Sequence, residues 1–411
     1  MEDRLNIIVS KAYKEFLPSE KEVDRMESVF GAVVEKIQKK ASRLRINVEI
    51  KPGGSFSKNT WISGQSDIDI FVVFDDEEST RYLKKISPDG FKETRGTRVY
   101  FRGTVSGISV EIVPIVRFSD PSKVINSIDF SILHADYVNK KMTSSMRRDI
   151  IILKKFCRAN RCYGSETYMH GFSGYALELL IINYGSLRQL FNAVSSWNPT
   201  VYIDSAHVYR SKEEAISAFS SNLSPVLLID PTNPKRNICA SLSVENLSRF
   251  VFAVKSFLLN PSFSFFVEDS LEKLITKRSK ARGTMLFKMS TRISGEKDRF
   301  LSKYNRQLNM LLHRLEKTGI DVYQYDVSYK EKEAELFLEV GKIPVSSTMR
   351  VIGPKVWLNE HHLSRFLKAH KGAYVCGEFV SYDKPYKTKD IKKFILDEVK
   401  QYMSTSSILK K

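Results

Sequence analysis

Two aspartates one residue apart, Asp67 and Asp69, are the side chains of this sequence best suited to bind a metal ion. The residues around them, SDIDIFVVF, are rich in β-branched and aromatic types and predict a strand. Because side chains two positions apart on a strand share a face, both carboxylates project together, while Ile68, Ile70 and Val72 take the opposite face. Two acids on one face can hold two divalent cations, although an isolated Asp-x-Asp pair is more often a solvated strand end.

A turn that could contact phosphate precedes this strand. Ser55 follows Gly53 and Gly54, twelve positions before Asp67. Glycines let a turn bring its backbone N–H groups and a hydroxyl close to a phosphate. The turn and the two carboxylates together predict a site for a nucleoside triphosphate and its metal.

A third acid, Glu111, lies in the later apolar segment TVSGISVEIVPIV. Ser106 and Gly107 predict a hairpin turn at the start of its strand. Glu111 then points to the opposite face from Val110 and Ile112, away from a buried layer. An acid inside so apolar a strand favours a catalytic role, and the three features in this order favour catalysis over a solvated strand end.

The hydrophobic pattern divides the chain into three parts. A capping-box pattern at Ser19 and Glu22 predicts the first helix. The periodicity becomes helical from Met142 and mixes strands with helices after Pro261. The predicted strands lie near Val48, Ile70, Tyr100 and Ile112 and over Gly283 to Lys288, Glu333 to Glu339 and Ala373 to Val380, and the predicted helices include Tyr175 to Tyr184, Val244 to Leu259, Asp298 to Lys317 and Ile391 to Tyr402.

Six sequence blocks resemble the nucleotidyltransferase superfamily, and within it the archaeal, class I CCA-adding tRNA nucleotidyltransferases. They are GSFSKNTW, SDIDIFVVF, ILKKFCRANRCYG, GFSGYALELLIINYGS, DPTNPKRNICASLS and, more faintly, IGPKVWL, and they span nearly the whole chain. Two features depart from the family: Glu111 stands where these enzymes carry Asp, and the C-terminus is abbreviated against the family's tail. The longer carboxylate can still bind Mg²⁺, but its reach changes the spacing of the metals.

The resemblance implies a multidomain α+β fold. Its head, a polymerase-β-like nucleotidyltransferase domain with a mixed sheet and helices, is expected at 1–140. A mostly helical central domain, or neck, with the pocket for the nucleotide base is expected at 141–259. An α+β body and tail that bind tRNA are expected at 260–411.

The resemblance also implies an activity: addition of C, C and A to the tRNA 3′ end from CTP and ATP, without a nucleic-acid template. Asp67, Asp69 and Glu111 would hold two Mg²⁺ ions. Lys58 stands where close relatives tend to have Arg, and Arg236 would choose the incoming base. For His134 and Lys154 the residues alone favour a packed ring and a solvated lysine, and only the family match reverses this. The residues implied to bind the nucleotide are Gly54, Ser55, Lys58, Asn59, His134, Lys154, Tyr163 and Arg236.

The charge of the chain independently predicts a polyanionic partner. There are 65 Lys and Arg residues against 47 Asp and Glu, a formal net charge of +18. The stretch from Lys273 to Arg314 holds twelve of the basic residues and only two acids, interleaved with aromatic residues. A charge run is usually a solvated face, but this one is a candidate RNA-binding surface. Its leading candidates are Lys277, Arg278, Lys280 and Arg282.

Other protein classes find little support in the sequence. It has no run of about 18 or more apolar residues and no leader with a charged start and an apolar centre. We therefore expect a cytoplasmic location without a membrane partner; a homodimer is also possible. The four cysteines form no close CxxC pair, which argues against a zinc site or a disulfide scaffold. They are Cys157, Cys162, Cys239 and Cys376.

Two other functions stay open from the residues alone. A poly(A) polymerase or oligoadenylate synthase would use the same three acids, because the acids do not name the polymerised product. A non-catalytic RNA-binding module on the same fold is the other alternative, which the intact set of acids disfavours.

Overall fold

The chain is described here from a computed structural model, over residues 2–65, 67–96, 98–118, 124, 126–318, 320–341, 348–357, 360–385, 391–403 and 406–409. It divides into two compact units, Met1–Glu268 and Asp269–Lys411. The boundaries near 140 and 259 from the sequence analysis stay predictions.

The first unit contains nine helices and eight strands within the described residues. The helices are α1 (Glu2–Phe16), α2 (Glu20–Arg43), α3 (Leu83–Ile86), α4 (Phe130–Lys141), α5 (Ser144–Ala159), α6 (Gly174–Tyr184), α7 (Leu187–Val194), α8 (Lys212–Ala218) and α9 (Val244–Leu259). The strands are β1 (Glu49–Pro52), β2 (Asp67–Phe74), β3 (Lys92–Arg95), β4 (Val99–Val105), β5 (Ile108–Val116), β6 (Val201–Ile203), β7 (Val226–Asp230) and β8 (Asn233–Asn237).

The N-terminal sheet has five strands in the order β1-β2-β5-β4-β3. Its two central strands, β2 and β5, run parallel, and the other pairs are antiparallel. One face is a buried layer that includes Ile68, Ile70 and Val110, and α2 covers it with Met26 and Val33. The predicted alternation along both strands is therefore confirmed. β3 was missed, because its sequence KETR has no apolar alternation.

Helix α2 begins where the capping pattern predicts. Ser19 is its N-cap, and the Ser19 hydroxyl accepts the Glu22 N–H at 3.3 Å. The Glu22 carboxylate accepts from the Ser63 hydroxyl at 2.7 Å and the Gly64 N–H at 2.9 Å. Glu22 therefore also fixes the loop that leads into β2.

The hairpin before Glu111 is also confirmed. Ser106 and Gly107 join β4 to β5 with φ angles of 50° and 77°. Two consecutive left-handed residues make the tight turn that matches the twist of antiparallel strands.

The central part of the first unit is built mainly from helices around a cluster of phenylalanines. Phe156 of α5 packs against Phe191 and Phe257, with ring centroids 4.9 and 5.8 Å apart. Helix α1, which the sequence analysis did not predict, inserts the fully buried Ala12 into this core.

A small sheet, β6-β7-β8, also lies in this region and was not predicted. The DPTNPKRN segment forms the end of β7 and all of β8. β8 is an edge strand, where the missing N–H of Pro234 costs no ladder hydrogen bond.

The second unit mixes strands and helices, as predicted. Its helices are α10 (Leu271–Arg282), α11 (Lys297–Lys317), α12 (Glu360–Ala369) and α13 (Ile391–Tyr402). Its strands are β9 (Met285–Arg292), β10 (Val322–Tyr329), β11 (Glu333–Val340), β12 (Thr348–Lys355), β13 (Tyr374–Cys376), β14 (Phe379–Pro385) and β15 (Ser406–Leu409), which form the sheets β10-β11-β9-β15 and β12-β14-β13. The single strand predicted from Ala373 to Val380 is wrong: Gly377, with a φ of +60°, turns the chain there and separates β13 from β14.

All four cysteines are free thiols, and three of them are buried. Among the described residues, no helix combines the length and the apolar character that crossing a membrane requires.

Candidate active site

The two aspartates and Glu111 lie on adjacent parallel strands of the N-terminal sheet. Asp69 of β2 is in register with Glu111 of β5, and Asp67 is in register with Ser109. Both aspartates face away from the buried layer formed by Ile68 and Ile70. The parallel pairing therefore places all three carboxylates on one side of the sheet.

The glycine turn packs directly against Asp69. The Gly53 N–H donates to the Asp69 carbonyl at 2.8 Å. Gly54 has a φ of +56°, and a Cβ atom at that position would lie 1.7 Å from Asp69 Oδ2. Only glycine can adopt this backbone angle without strain and also leave room for the Asp69 carboxylate. Glycine at position 54 therefore lets the turn pack closely against the acid.

The carboxylates repel one another in this arrangement. Burial, Glu111 and Asp67 raise the pKa of Asp69 to about 7, against an opposing effect of Lys58 and Arg102. A cluster of hard oxygen donors with excess negative charge is the donor set that a divalent cation prefers. The chemistry of these donor groups therefore suits a divalent metal.

Arg102 partly neutralises this cluster, and the sequence analysis did not foresee it. Arg102 of β4 is in register with Glu111, and its Nε donates to Glu111 Oε1 at 2.8 Å, with a second bond from Nη2 to the same oxygen. Within the described residues, no three side chains of the His, Cys, Asp or Glu types are arranged to hold a metal ion as they stand.

The predicted turn residues Ser55 and Asn59 bracket a single helical turn, Phe56–Lys58. The Ser55 carbonyl accepts the Thr60 N–H at 3.1 Å, which closes the turn. Asn59 has a left-handed φ of 53° and an exposed side chain. The turn thus presents its polar edge next to Gly54.

The two lysines that the resemblance implies to bind the nucleotide meet at one buried carboxylate. Lys58 Nζ lies 2.6 Å from Glu178 Oε2, and Lys154 Nζ lies 2.9 Å from Glu178 Oε1. The two lysines pull the pKa of Glu178 down to about 2 although burial alone would raise it. Tyr163 is close by: a Cβ atom on Gly174 would lie 3.2 Å from Tyr163 Oη and 3.7 Å from Lys154 Nζ.

A second cluster brings together His134 and Arg236, which are 102 positions apart. The fully buried Asp230 joins them: its Oδ2 lies 3.0 Å from His134 Nε2 and 3.7 Å from Arg236 Nη1. Burial lowers the pKa of His134 despite the carboxylate beside it. The ring of Tyr175 stacks on His134 at 4.0 Å between centroids, and its hydroxyl donates to Asp230 at 3.2 Å.

Tyr175 also connects this cluster to the lysines, because Lys58 Nζ lies 5.9 Å from the centroid of its ring. The sequence analysis missed Tyr175, Thr60 and Glu178 as site residues. Glu178 carried a usable signal, since it is an acid inside the apolar helical run YALELLII. Tyr175 and Thr60 carried none.

The four basic residues predicted to bind RNA lie on α10 of the second unit, and all are exposed. They are not equivalent. Arg282 Nη1 lies 2.9 Å from Glu339 Oε2, whose side chain is fully buried, and Arg278 donates to Gln324 at 3.3 Å. Arg282 therefore also neutralises an internal acid, whereas Lys277 and Lys280 stand on the open surface.

Three family models match consecutive parts of the chain. A nucleotidyltransferase domain matches residues 34–134, the second domain of tRNA nucleotidyltransferase matches 148–267, and the C-terminal domain of the CCA-adding enzyme matches 282–409.

Curated relatives match nearly the whole chain. The CCA-adding enzyme of Methanothermobacter thermautotrophicus is 28% identical over 94% of this chain and 87% of its own length. The CCA-adding enzyme of Nanoarchaeum equitans is 27% identical over 93% of this chain and 94% of its own length.

Solved structures share the fold of about two thirds of the chain. A cytoplasmic RNA terminal U-transferase has 15% identity and a TM-score of 0.50, over 66% of this chain and 99% of its own. Cid1, in a complex with its short product ApU, has 14% identity and a TM-score of 0.51, over 65% of this chain and 99% of its own.

The three matched domains follow one another in order, and the sheet carries the acids and the glycine turn on one side. Over nearly its whole length, the chain is therefore similar to the archaeal CCA-adding enzymes.

Proposed function

We propose that this protein adds C, C and A to the 3′ ends of tRNA, with CTP and ATP as substrates and no nucleic-acid template. The observation that carries the proposal is the contact of Gly54 with Asp69 on the strand that pairs with Glu111. That contact joins the turn proposed to bind phosphate to an acid proposed to bind metal. The matches to domains of tRNA nucleotidyltransferases support tRNA as the substrate.

Asp67, Asp69 and Glu111 would hold the divalent metal of this domain family, in our proposal two Mg²⁺ ions. When bound, such ions favour ionisation of the attacking 3′-hydroxyl and stabilise negative charge on the pyrophosphate leaving group. The geometry of the acids supports this role, since Asp69 and Glu111 are in register on adjacent strands, and burial together with the neighbouring carboxylates raises the pKa of Asp69.

The remaining residues would bind and orient the nucleotide. The turn from Gly54 to Asn59 offers backbone N–H groups to the phosphates. Lys58 and Lys154 bring two positive charges to a region with one buried acid, which leaves a surplus for the triphosphate. Orientation of the α-phosphate toward the RNA 3′-hydroxyl is the main contribution that the protein itself makes to the rate.

Arg236 would select the base. The Arg236 side chain is 40% exposed, and its Nη1 lies beside the buried Asp230 and His134. These contacts hold the guanidinium in place, and its other N–H groups can donate to the base. A neutral His134 keeps the pocket free of a second positive charge.

The second unit would bind the tRNA through its backbone and shape, with Lys277 and Lys280 of α10 as exposed contacts. A cytoplasmic location and a homodimer stay predictions; light scattering of the purified chain would measure the second.

One assay tests the proposed function. Transcripts of tRNA that end before the first C, after C and after CC are each incubated with Mg²⁺ and one labelled nucleotide at a time. We expect CTP to extend the first two transcripts and ATP the third, with no further addition. Long tails of A on every transcript would identify a poly(A) polymerase instead.

The Asp69→Asn variant serves as the negative control. A neutral amide is a poor ligand for Mg²⁺, so incorporation should be lost while tRNA affinity stays within about twofold, because the α10 surface is unchanged. Full activity of the variant would remove Asp69 from the site. The same assay with Arg236→Ala should show more incorporation of UTP or GTP, or a sharp loss with CTP and ATP.

A further inference from the structure

Glu178 is buried completely and yet carries a charge, which requires an explanation. Its two oxygens are held by different cations: Oε2 by Lys58 and Oε1 by Lys154. The Thr60 hydroxyl also donates to Oε1, at 2.9 Å. A buried carboxylate persists only with such partners, because its desolvation is costly.

The network gathers three separate segments of the first unit. Lys58 and Thr60 come from the glycine turn, Lys154 comes from α5 and Glu178 comes from α6. Lys154 Nζ also donates to the Thr60 carbonyl at 3.1 Å and to its hydroxyl at 2.9 Å. Each lysine is thus fixed relative to the turn and relative to the other lysine.

The charges in the network do not balance. One carboxylate faces two ammonium groups, so one positive charge is in excess in a region that is almost fully buried: Lys58 is 8% exposed and Lys154 is 4% exposed. The glycine turn that carries Lys58 packs against Asp69. An anion bound at the turn would complete the charge balance.

We propose that Glu178 is a positioning residue for the triphosphate: it touches no substrate, but holds Lys58 and Lys154 together, at the place where the β- and γ-phosphates bind. This inference rests on the proposed function and extends it to a residue that binds neither metal nor base. Without the carboxylate, two buried ammonium groups would repel each other and move apart, so the paired binding site for phosphate would be lost.

The test is equilibrium binding of CTP and of CMP to the full chain, with wild-type protein, Glu178→Gln and Glu178→Asp. CMP lacks the β- and γ-phosphates. We expect Glu178→Gln to weaken CTP binding by about tenfold or more and CMP binding by less than about twofold. Glu178→Asp keeps the charge and should recover part of the CTP affinity.

Asp129→Asn is the matched control. Asp129 is another buried carboxylate of the first unit, held by Arg98 with Nη2 to Oδ2 at 2.9 Å. We expect this variant to lose thermal stability like Glu178→Gln but to bind CTP normally. Steady-state kinetics should agree, with a raised KM for CTP and a smaller change in kcat for Glu178→Gln.

A second variant, Thr60→Val, removes the hydroxyl that donates to Glu178 and accepts from Lys154. It tests the same network if Glu178→Gln does not fold. It should show the same selective loss of CTP binding, to a smaller degree. Equal weakening of CTP and CMP, or unchanged CTP affinity in both variants, would overturn the positioning role. Wild-type protein that binds neither CTP nor ATP would contradict the proposed function itself.

Discussion

The carboxylate of Glu111 forms an ion pair with Arg102, and this pair should weaken the binding of a metal ion to Glu111. The guanidinium donates twice to one oxygen of Glu111. Paired guanidinium groups form strong, directional bonds to carboxylates. A cation that binds Oε1 of Glu111 therefore competes with Arg102 for that oxygen.

Replacement of Arg102 by Ala should tighten metal binding. The change removes a competitor and leaves more negative charge at the site, so we expect the Kd for Mn²⁺, measured by calorimetry without tRNA or nucleotide, to fall about three- to tenfold. Arg117→Ala is the control, because Arg117 is equally exposed, at 54%, and pairs with Glu49 and Asp75 instead. An equal effect of both variants would mean that only overall charge matters.

Glu178 should make stability depend on pH in the acid range. Its pKa is about 2 in the folded chain against an ordinary 4.5, a shift worth about 3 kcal/mol. A lowered carboxylate pKa stabilises the fold above 4.5, and this stability is lost as the pH falls toward 2. The difference in melting temperature between wild-type protein and Glu178→Gln, measured by circular dichroism, should thus be largest near neutral pH and shrink below 4.5. A difference that stays constant with pH would refute an ionised Glu178.

At the scale of the element, the glycine turn joins the proposed phosphate site to the proposed metal site, and a single added methyl group tests this connection. Gly54→Ala places a Cβ atom against Asp69, whereas Gly64→Ala has the same left-handed strain, with a φ of +70°, and no heavy atom within 4 Å. The backbone strain should cost each variant about 1–2 kcal/mol of stability, and the clash with Asp69 adds to this cost in Gly54→Ala. Only Gly54→Ala should lose incorporation of CTP, by about 100-fold, because it displaces a catalytic acid. Equal activities in the incorporation assay would show that the contact has no catalytic importance.

The hairpin of β7 and β8 is the second element that builds the site. Asp230 ends β7 and Arg236 lies in β8, so the strand pairing brings the guanidinium back to the buried acid. The Asp230 carboxylate also receives the Thr232 N–H at 2.9 Å and the Thr232 hydroxyl at 2.8 Å, which hold the turn of the hairpin. The proposed base pocket therefore depends on this hairpin as well as on the helices.

At the scale of the whole molecule, the excess positive charge should make tRNA binding strongly dependent on salt. Lys273, Lys277 and Lys280 are exposed and spaced for one face of α10. Their joint replacement by Ala should flatten the plot of log affinity against log salt by about 0.9 for each phosphate group that the variant no longer neutralises. Arg282 is left unchanged, because its removal would leave the buried Glu339 without the arginine that neutralises its charge.

The control for this measurement removes three exposed lysines of α2, Lys21, Lys36 and Lys39, and so changes the net charge equally. We expect its salt dependence, measured by filter binding with tRNA that lacks its 3′ end, to match the wild type. If the two triple variants behave alike, α10 is a solvated face and the RNA-binding surface lies elsewhere.

Local patterns in the sequence are enough to predict the features that depend on neighbouring residues. Alternation of apolar residues placed Asp67 and Asp69 on one face of β2, and Ser106-Gly107 set the hairpin before Glu111. These patterns are readable because each depends on residues only a few positions apart.

The packing of the folded chain determines which of these side chains meet and which residues hold them in place. Lys58 and Glu178 are 120 positions apart, and His134 and Asp230 are 96 positions apart. Glu111 lies only nine positions from Arg102, yet their pairing depends on the strand register. An ion pair between separate elements leaves no periodic trace, because its energy depends on a distance that only the packed chain fixes.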